Sequence, residues 1–492
     1  MDIKIQKAKN GENTACAGNH FLHSNYAPVK EAERFVENLN IPYTPSSIII
    51  TEPALSYVSA FLKNKYPQVK LGVIRYSDSF SDYNSSFDFV INYFEHADFE
   101  AYLESRFTEE ELLQTFFTPW LPSSQAFAET DKIVWNCIKA AMERSKTLLI
   151  TRQYFEKRWL LNSCNFLKYT SSIISFSFPI DKNVLIISSG PSLKPFIPLI
   201  KENQNKFFII SLSSSISLCL KNKIIPDICM TTDGGYWAGE HLKSLRNNNI
   251  PLAMPAEAYC KKSLLSELTL LPLDYGDGIS HDLIKASGLP YIKAVRNGTV
   301  SGTALLFAIN YFTRNIYMCG FDMAAQRGFQ HSQPNQLEVN ASIKDNRIRN
   351  KITRLTRSEL DNGSLDIYKQ WFKNNPIDTG ERKVFRLINK EDSKNSLGWI
   401  KDLEINSFRN YLSDITAEEK ISFKAGKVCR DLKACLKVLL SEEEVEKNKK
   451  QLFPLDFVNL SHNPEKKEIK DKIENEWKKI QNKAETILNA DL

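Results

Sequence analysis

The sequence lacks any run approaching ~18 uninterrupted apolar residues, the length a membrane-spanning helix requires. Met1 to Gly11 alternates charged and polar residues, with no apolar stretch of signal-peptide length, so a cytoplasmic protein without a transmembrane segment is expected. None of the nine cysteines (Cys16, Cys137, Cys164, Cys219, Cys229, Cys260, Cys319, Cys429, Cys435) stands in a C-x-x-C pair. Their number is odd and most lie inside apolar runs, so they read as reduced core residues rather than as a disulfide framework or a zinc site. A large excess of one charge is also missing: 64 basic against 58 acidic side chains leave +6 over 492 residues, which does not imply nucleic acid as a partner. There is no G-x-x-x-x-G-K-S/T, no strand-borne G-x-G-x-x-G, no H-E-x-x-H, and no D-x-D to hold a divalent metal against a sugar nucleotide. Chemistry without a metal or a resident cofactor is expected.

What is present is ordinary globular text. Hydrophobic residues make up 42% and charged residues 25%, and 29 Phe with 18 Tyr are generous for packing and for stacking on planar ligands. A chain of 492 residues exceeds what one core organises, so two or three domains are expected.

Ile48-Ile49-Ile50 reads as a strand. Leu55, Val58, Phe61 and Leu62 share a helix face after it, and Leu71 to Tyr76 returns as a second strand. The turn between them, Thr51-Glu52-Pro53-Ala54, lacks the glycines that let a backbone close around a pyrophosphate, so this β-α-β unit is not expected to bind a dinucleotide. Phe87 to Phe94 suggests a further strand. Thr108 and Glu111 form a T-x-x-E capping box opening a helix that Pro119-Trp120-Leu121-Pro122 interrupts. Ile133, Val134, Ile138, Ala141 and Met142 then recur at helical spacing, a bridge running towards Arg158, Trp159 and Asn162.

Val184-Leu185-Ile186-Ile187 is a wholly apolar run of the kind found inside a parallel sheet. Phe207 to Leu212, Ile228 to Thr232, Leu252 to Met254, Ile316 to Cys319 and Val384 to Ile388 follow with helical patterns between most of them. That alternation predicts an α/β fold with a Rossmann-like, doubly wound central domain over 166–405, a smaller α/β domain over 1–165, and a Lys/Glu-rich helical domain over 406–492.

Polar and small residues gather where these strands end, the edge at which open α/β sheets bind ligands. Ser188-Ser189-Gly190-Pro191-Ser192-Leu193 is a glycine turn entering a helix through proline, a phosphate-binding turn or an ordinary βα turn. Ser211 to Ser215 and Thr231-Thr232-Asp233-Gly234-Gly235 close the next two strands. Asp233 suits a ribose hydroxyl or a base amine, or a helix cap. Asn297-Gly298-Thr299-Val300-Ser301-Gly302-Thr303 is a second small-residue turn before a helix, as if both ends of a nucleotide were held. Met318-Cys319-Gly320-Phe321-Asp322 ends a strand whose loop leads to His331, a candidate acid or base, with lesser claims of the same kind for His241 and His281. The basic stretch Lys344, Arg347, Arg349, Lys351, Arg354 and Arg357 suits an acidic sugar or partner, or a solvated helix face.

In order and spacing, the I-I-S-S-G-P-S-L turn, Ile225-Pro226-Asp227 with Thr232-Asp233, N-G-T-V-S-G-T-A-L and C-G-F-D-M before a histidine resemble the motility accessory factor family over most of residues 45 to 405. The resemblance implies transfer of pseudaminic or legionaminic acid from its CMP-activated form to Ser or Thr of flagellin, in service of flagellum assembly and motility. It also implies a central domain similar to that of bacterial sialyltransferases using CMP-sialic acid. On that likeness Gly190, Pro191, Ser192 and Leu193 meet the CMP phosphate, Ser213, Asp233, Thr299, Ser301 and Gly302 line the nucleotide, and Ser189, Thr303, Gly320 and Asp322 complete the donor site. His331 is then the general base of an inverting displacement, grouped with Asp233 as catalytic. One departure is that the sialyltransferases place tyrosines after the G-x-D strand, whereas Ala324 and Ala325 follow here, leaving the departing phosphate to backbone donors or Arg327. Two alternatives stay open: a hydroxymethylpterin pyrophosphokinase-like phosphotransferase, and a non-catalytic flagellin-binding assembly factor.

Overall fold

The structure is a computed structural model that describes residues 3–175, 177–323, 332–353, 363–389 and 396–490, with backbone alone for 363–367. Its contacts divide the chain into two units.

The first unit takes Met1–Glu156 and Glu446–Lys479. Three strands precede the first one expected: β1 (Ile3–Lys7), β2 (Asn13–Ala17) and β3 (His20–Phe21) form an antiparallel sheet in the order β1-β2-β3. The charged text of β1 hides it from a hydrophobic pattern, and its pairing with β2, Ile3 opposite Ala17 and Lys7 opposite Asn13, supplies what its own side chains do not.

A parallel sheet follows, built from β4 (Ser47–Thr51), β5 (Lys70–Arg75), β6 (Phe89–Asn92) and β7 (Thr115–Pro119) in the order β6-β5-β4-β7. The capping box forms as the spacing predicts. Thr108 Oγ1 accepts the Glu111 N–H at 3.2 Å, and a Glu111 carboxylate oxygen accepts the Thr108 N–H at 2.9 Å. Its helix, however, stops at Gln114, and Thr-Phe-Phe-Thr-Pro, read as more helix, is strand β7. Its β-branched and aromatic residues suit a pleat, and tertiary pairing of Phe117 opposite Ile49 decides the matter.

The second unit, Lys157–Val445 with Ile480–Leu492, carries the larger sheet. Its strands are β8 (Ser172–Ser175), β9 (Val184–Ile187), β10 (Phe208–Leu212), β11 (Ile228–Met230), β12 (Leu252–Pro255), β13 (Thr269–Asp274), β14 (Ile292–Lys293), β15 (Ile316–Cys319), β16 (Val384–Ile388), β17 (Lys401–Glu404) and β18 (Lys424–Lys427). The order is β17-β16-β15-β9-β10-β11-β12-β13-β8-β18, with β14 beside β13. Every pair is parallel except β8 with β18.

Side-chain alternation along β9 and β10 builds two cores. Val184, Ile186, Phe208 and Ile210 pack on one face with Ala304, Leu305, Phe307 and Ala308 of helix Val300–Tyr311. Leu185, Ile187 and Ile209 pack on the other with Ile200, Phe408 and Leu412 from helices Ile197–Glu202 and Ile405–Asp414. Helices on both faces of a mostly parallel sheet make this a doubly wound α/β fold. The chain winds from β9 outward to β13, then returns to lay β15, β16 and β17 on the other side of β9. The direction therefore reverses between β9 and β15, and it is at such a reversal that the strand ends part to leave a crevice.

The C-terminal region is helical, with helices Leu432–Leu440, Glu442–Leu452, Pro454–His462 and Lys467–Asn489. Its residues are shared out, 446–479 grouping with the first unit and the rest with the second, where β18 joins the sheet edge. Among the described residues no helix is long and apolar enough to cross a membrane.

Candidate functional site

The reversal between β9 and β15 brings the Gly190 turn against the Gly320 turn. The Ser188 N–H donates to Cys319 O and the Gly190 N–H to Gly320 O, each at 2.8 Å, so the ladder continues past both strand ends. Gly190 has ordinary extended dihedrals, φ −62° and ψ 156°. Its lack of a side chain serves a close approach: a Cβ there would strike the Gly320 carbonyl oxygen and stand 2.5 Å from Asp322 Oδ2. That carboxylate accepts the Ser192 N–H at 2.9 Å. The Leu193 N–H is turned onto Gly190 O at 3.1 Å, and the Leu193 side chain is 1% exposed in the core. The following 3-10 helix, Pro191–Phe196, thus begins with an internal carboxylate on the Ser192 donor where the sequence suggested a phosphate. Burial pushes the Asp322 carboxyl above its ordinary range, and Ser192 and Arg386 pull it back.

Ser332 closes over the same turn. Its N–H donates to Ser189 O at 2.5 Å and its hydroxyl to Gly190 O at 2.7 Å, while the Asn335 side-chain amide reaches Ser214 O at 3.2 Å. Ser213 is 6% exposed and donates its N–H to Met230 O at 2.9 Å.

The second turn meets the first. Ser301 Oγ lies 3.2 Å from Ser188 Oγ, so Asn297–Thr303 reaches the tip of β9 although 113 residues separate the two serines. Here the donors are differently disposed. Thr299 caps the helix by accepting the Gly302 N–H at 2.9 Å, and Asn297 Oδ1 accepts the Thr299 N–H at 3.0 Å. Gly302 is small because Asn297 Oδ1 occupies the space a Cβ would need. The amides of Val300 and Ser301 take no partner among the described residues, and they open a 12-residue helix whose dipole favours an anion there. The Thr231 hydroxyl is fully buried and likewise without a hydrogen-bond partner among the described residues.

Asp233 stands apart from these turns, exposed at the end of β11, its Oδ1 accepting the Gly235 N–H at 2.7 Å. The turn is held from behind. A Cβ on Gly234 would strike the Trp159 ring, and the Asn162 side-chain amide donates to Gly234 O at 3.2 Å and to Glu257 O at 2.8 Å.

Sequence reasoning passed over the residues that tie the neighbouring strand tips together. Arg296, one residue before the second turn, donates to both carboxylate oxygens of Glu257 after β12 and, at 2.7 Å, to Asp277 after β13. Its guanidinium carbon lies 4.4 Å from the Tyr275 ring centroid and 5.6 Å from that of Trp159. Burial works against the Arg296 charge, but Glu257 and Asp277 outweigh it and hold its pKa above the ordinary arginine value. Burial likewise raises the Glu257 carboxyl and the Tyr275 phenol. The rule that polar residues at strand C-termini mark the site, applied to β12 and β13 as it was to β9 and β11, points to these positions.

Of the histidines considered, His331 lies outside the described residues, as do Ala324, Ala325, Arg327, Arg354 and Arg357. His241 is 6% exposed, too buried to meet an acceptor from solvent. His281 is partly exposed, and its Nδ1 lies 2.7 Å from Oδ2 of Asp274, at the end of β13. A carboxylate on one ring nitrogen orients the imidazole and leaves Nε2 available for proton transfer.

Residues 157–328 match the family described as 6-hydroxymethylpterin diphosphokinase MptE-like. An uncharacterized protein of Treponema pallidum (strain Nichols) is 28% identical over 278 residues, which is 56% of this chain and 61% of that relative, so the match spans about three-fifths of the relative's length. Among solved structures, a MAf glycosyltransferase from Magnetospirillum magneticum AMB-1 superposes with a TM-score of 0.51 at 13% identity, covering 99% of this chain and 91% of that one. The chain shares that protein's fold.

Proposed function

We propose that this chain is a glycosyltransferase of the motility accessory factor type, moving a pseudaminic- or legionaminic-type acid from a CMP-activated donor to Ser or Thr of flagellin in the cytoplasm. The observation that carries the reading is the pair of unpartnered amides, Val300 and Ser301, opening a helix at the sheet reversal beside the Ser188 and Ser301 hydroxyls. The fold shared with a MAf glycosyltransferase over nearly the whole chain supports it.

In this reading the CMP phosphate sits on those amides, where preorganised donors and the helix dipole stabilise the charge that grows as the donor's glycosidic C–O bond breaks. The electron pair of that bond leaves with the phosphate oxygen of CMP. The acceptor hydroxyl oxygen forms the new bond to the anomeric carbon from the opposite face, and its proton passes to an imidazole, assigned from the sequence to His331. The Arg296, Glu257 and Asp277 cluster holds the amide-bearing loop in register with the strand tips. No metal is assigned a role, so chelation by EDTA leaves the rate unchanged.

The test is intact-mass analysis of flagellin incubated with the chain and a CMP-activated nonulosonic acid, with CMP release followed in parallel. One added sugar residue per modified site with stoichiometric CMP is the expected result. The absence of both mass gain and CMP release overturns the reading, and flagellin binding without CMP release moves it to an assembly factor. The match of residues 157–328 to a pterin diphosphokinase-like family favours one other reading, pyrophosphoryl transfer from ATP to a hydroxymethylpterin. Mg²⁺-dependent release of AMP in the presence of that pterin would establish it instead.

A further inference from the structure

Two aromatic side chains project into solvent one turn beyond Asp233. Tyr236 is 51% exposed and Trp237 53% exposed, at the start of helix Tyr236–His241. Large rings left half bare forgo much of the burial that stabilises them elsewhere. These two are nevertheless held in place. Tyr236 packs edge-on to Trp237 with centroids 5.5 Å apart and tilts against Tyr259 at 5.7 Å, and the Lys344 ammonium lies 5.7 Å from the Trp237 centroid. The adjoining turn is fixed by Trp159 and Asn162. Asp233 spends Oδ1 on the Gly235 N–H, while its Oδ2 accepts from no group among the described residues.

We infer that Trp237 and Asp233 together form the base-recognition subsite of the donor nucleotide, the indole stacking the pyrimidine and the carboxylate selecting cytosine over uracil. This rests on the reading of the site as one for a CMP-activated sugar. The placement fits the unpartnered amides. β11 stands two strands from β9, roughly 10 Å along the sheet edge, which is about the reach of a nucleoside monophosphate from phosphate to base. The chemistry fits as well. An ionised carboxylate only accepts hydrogen bonds, so it pairs with the exocyclic amine of cytosine and repels the carbonyl that uracil carries at the same position. Every base offers a π-face to an indole, so stacking supplies affinity and Asp233 supplies the choice.

The test uses CMP and UMP themselves, titrated calorimetrically into the full chain. Wild type is expected to bind CMP at least about tenfold more tightly than UMP. Trp237→Ala weakens CMP about tenfold, as expected for the loss of one base–aromatic stack. Its thermal midpoint is unchanged because the ring is half exposed, and Trp237→Phe retains most of the affinity. Asp233→Asn keeps the bond from Gly235 on its amide oxygen and presents an N–H where Oδ2 was, so the preference passes to UMP. CMP affinity unaltered by Trp237→Ala, or a CMP preference that survives Asp233→Asn, overturns this inference while leaving the transferase reading standing. A wild-type chain that binds no CMP overturns both.

Discussion

Replacing Gly190 by alanine tests whether the sheet reversal is built as described. The backbone at Gly190 is one that alanine adopts readily, φ −62° and ψ 156°, so no dihedral strain is introduced. The whole cost comes from the added methyl, which collides with the Gly320 carbonyl and stands 2.5 Å from the Asp322 carboxylate. Both neighbours are anchored, Gly320 O by the Gly190 N–H at 2.8 Å and Asp322 by the Ser192 N–H at 2.9 Å. Relief therefore requires the tips of β9 and β15 to part. Overpacking of this kind costs about 1–3 kcal/mol, and stretching one buried hydrogen bond costs about 0.5–1.5 kcal/mol more. The sum, about 1.5–4.5 kcal/mol, corresponds to a fall in Tm of roughly 2–7 °C for the larger unit, at an unfolding entropy of ~2.1 cal/mol/K per residue. Scanning calorimetry of the full chain measures it. Gly426→Ala is the control, since a Cβ there meets nothing within 4 Å and the residue has no positive φ. A Gly190→Ala chain melting within about a degree of wild type would refute the reasoning, because the strand tips would then be free to separate.

Other outcomes follow from the same contacts. Arg296→Gln leaves Glu257, whose side chain is 7% exposed, without its cation and should destabilise by about 2–4 kcal/mol. The lower part of that range is favoured because the Arg296 side chain is itself 39% exposed, and urea unfolding of Arg296→Gln, Glu257→Gln and the double variant reads the coupling. Glu240 is held down to about 2 by hydrogen bonds from Lys243 and Lys261. Its folded pKa lies below the unfolded one, so its stabilisation is present above the ordinary carboxylate pKa and is lost as pH falls towards 2. The Tm gap between wild type and Glu240→Gln should accordingly narrow from pH 5 downwards, and a constant gap would refute the pairing. The two candidate bases are separated by His331→Ala and His281→Ala. Loss of about 10²–10⁴-fold in transfer rate is expected for the true base, with donor affinity retained. Loss confined to His281→Ala would move the role from His331 to the imidazole held by Asp274.

How much of this was legible beforehand depends on the range of each interaction. Near-continuous apolar runs at Val184–Ile187 and Phe208–Leu212 encode buried parallel strands locally, and the structure pairs them in register, Leu185 with Ile209. The Thr108 capping box closes within four residues, so composition and spacing suffice to specify it. The same holds for the glycine turns at strand ends, which follow from the residues around them. Pattern failed at Thr115–Pro119, where a capping box upstream suggested helix and pairing with Ser47–Thr51, nearly 70 residues away, imposed a strand.

By itself, then, the sequence determined the α/β alternation, the strands that carry the larger core, and the edge at which polar residues collect, because hydrophobic period and turn chemistry act over a few residues. Tertiary structure alone decided what each turn does there. Asp322, 130 residues from Ser192 along the chain, takes the donor at the Gly190 turn. The amides of Val300 and Ser301 stay open, and Arg296 finds Glu257 39 residues away. Those outcomes depend on which strands lie side by side, and strand order is set by the packing of the whole sheet, which no short stretch of residues records.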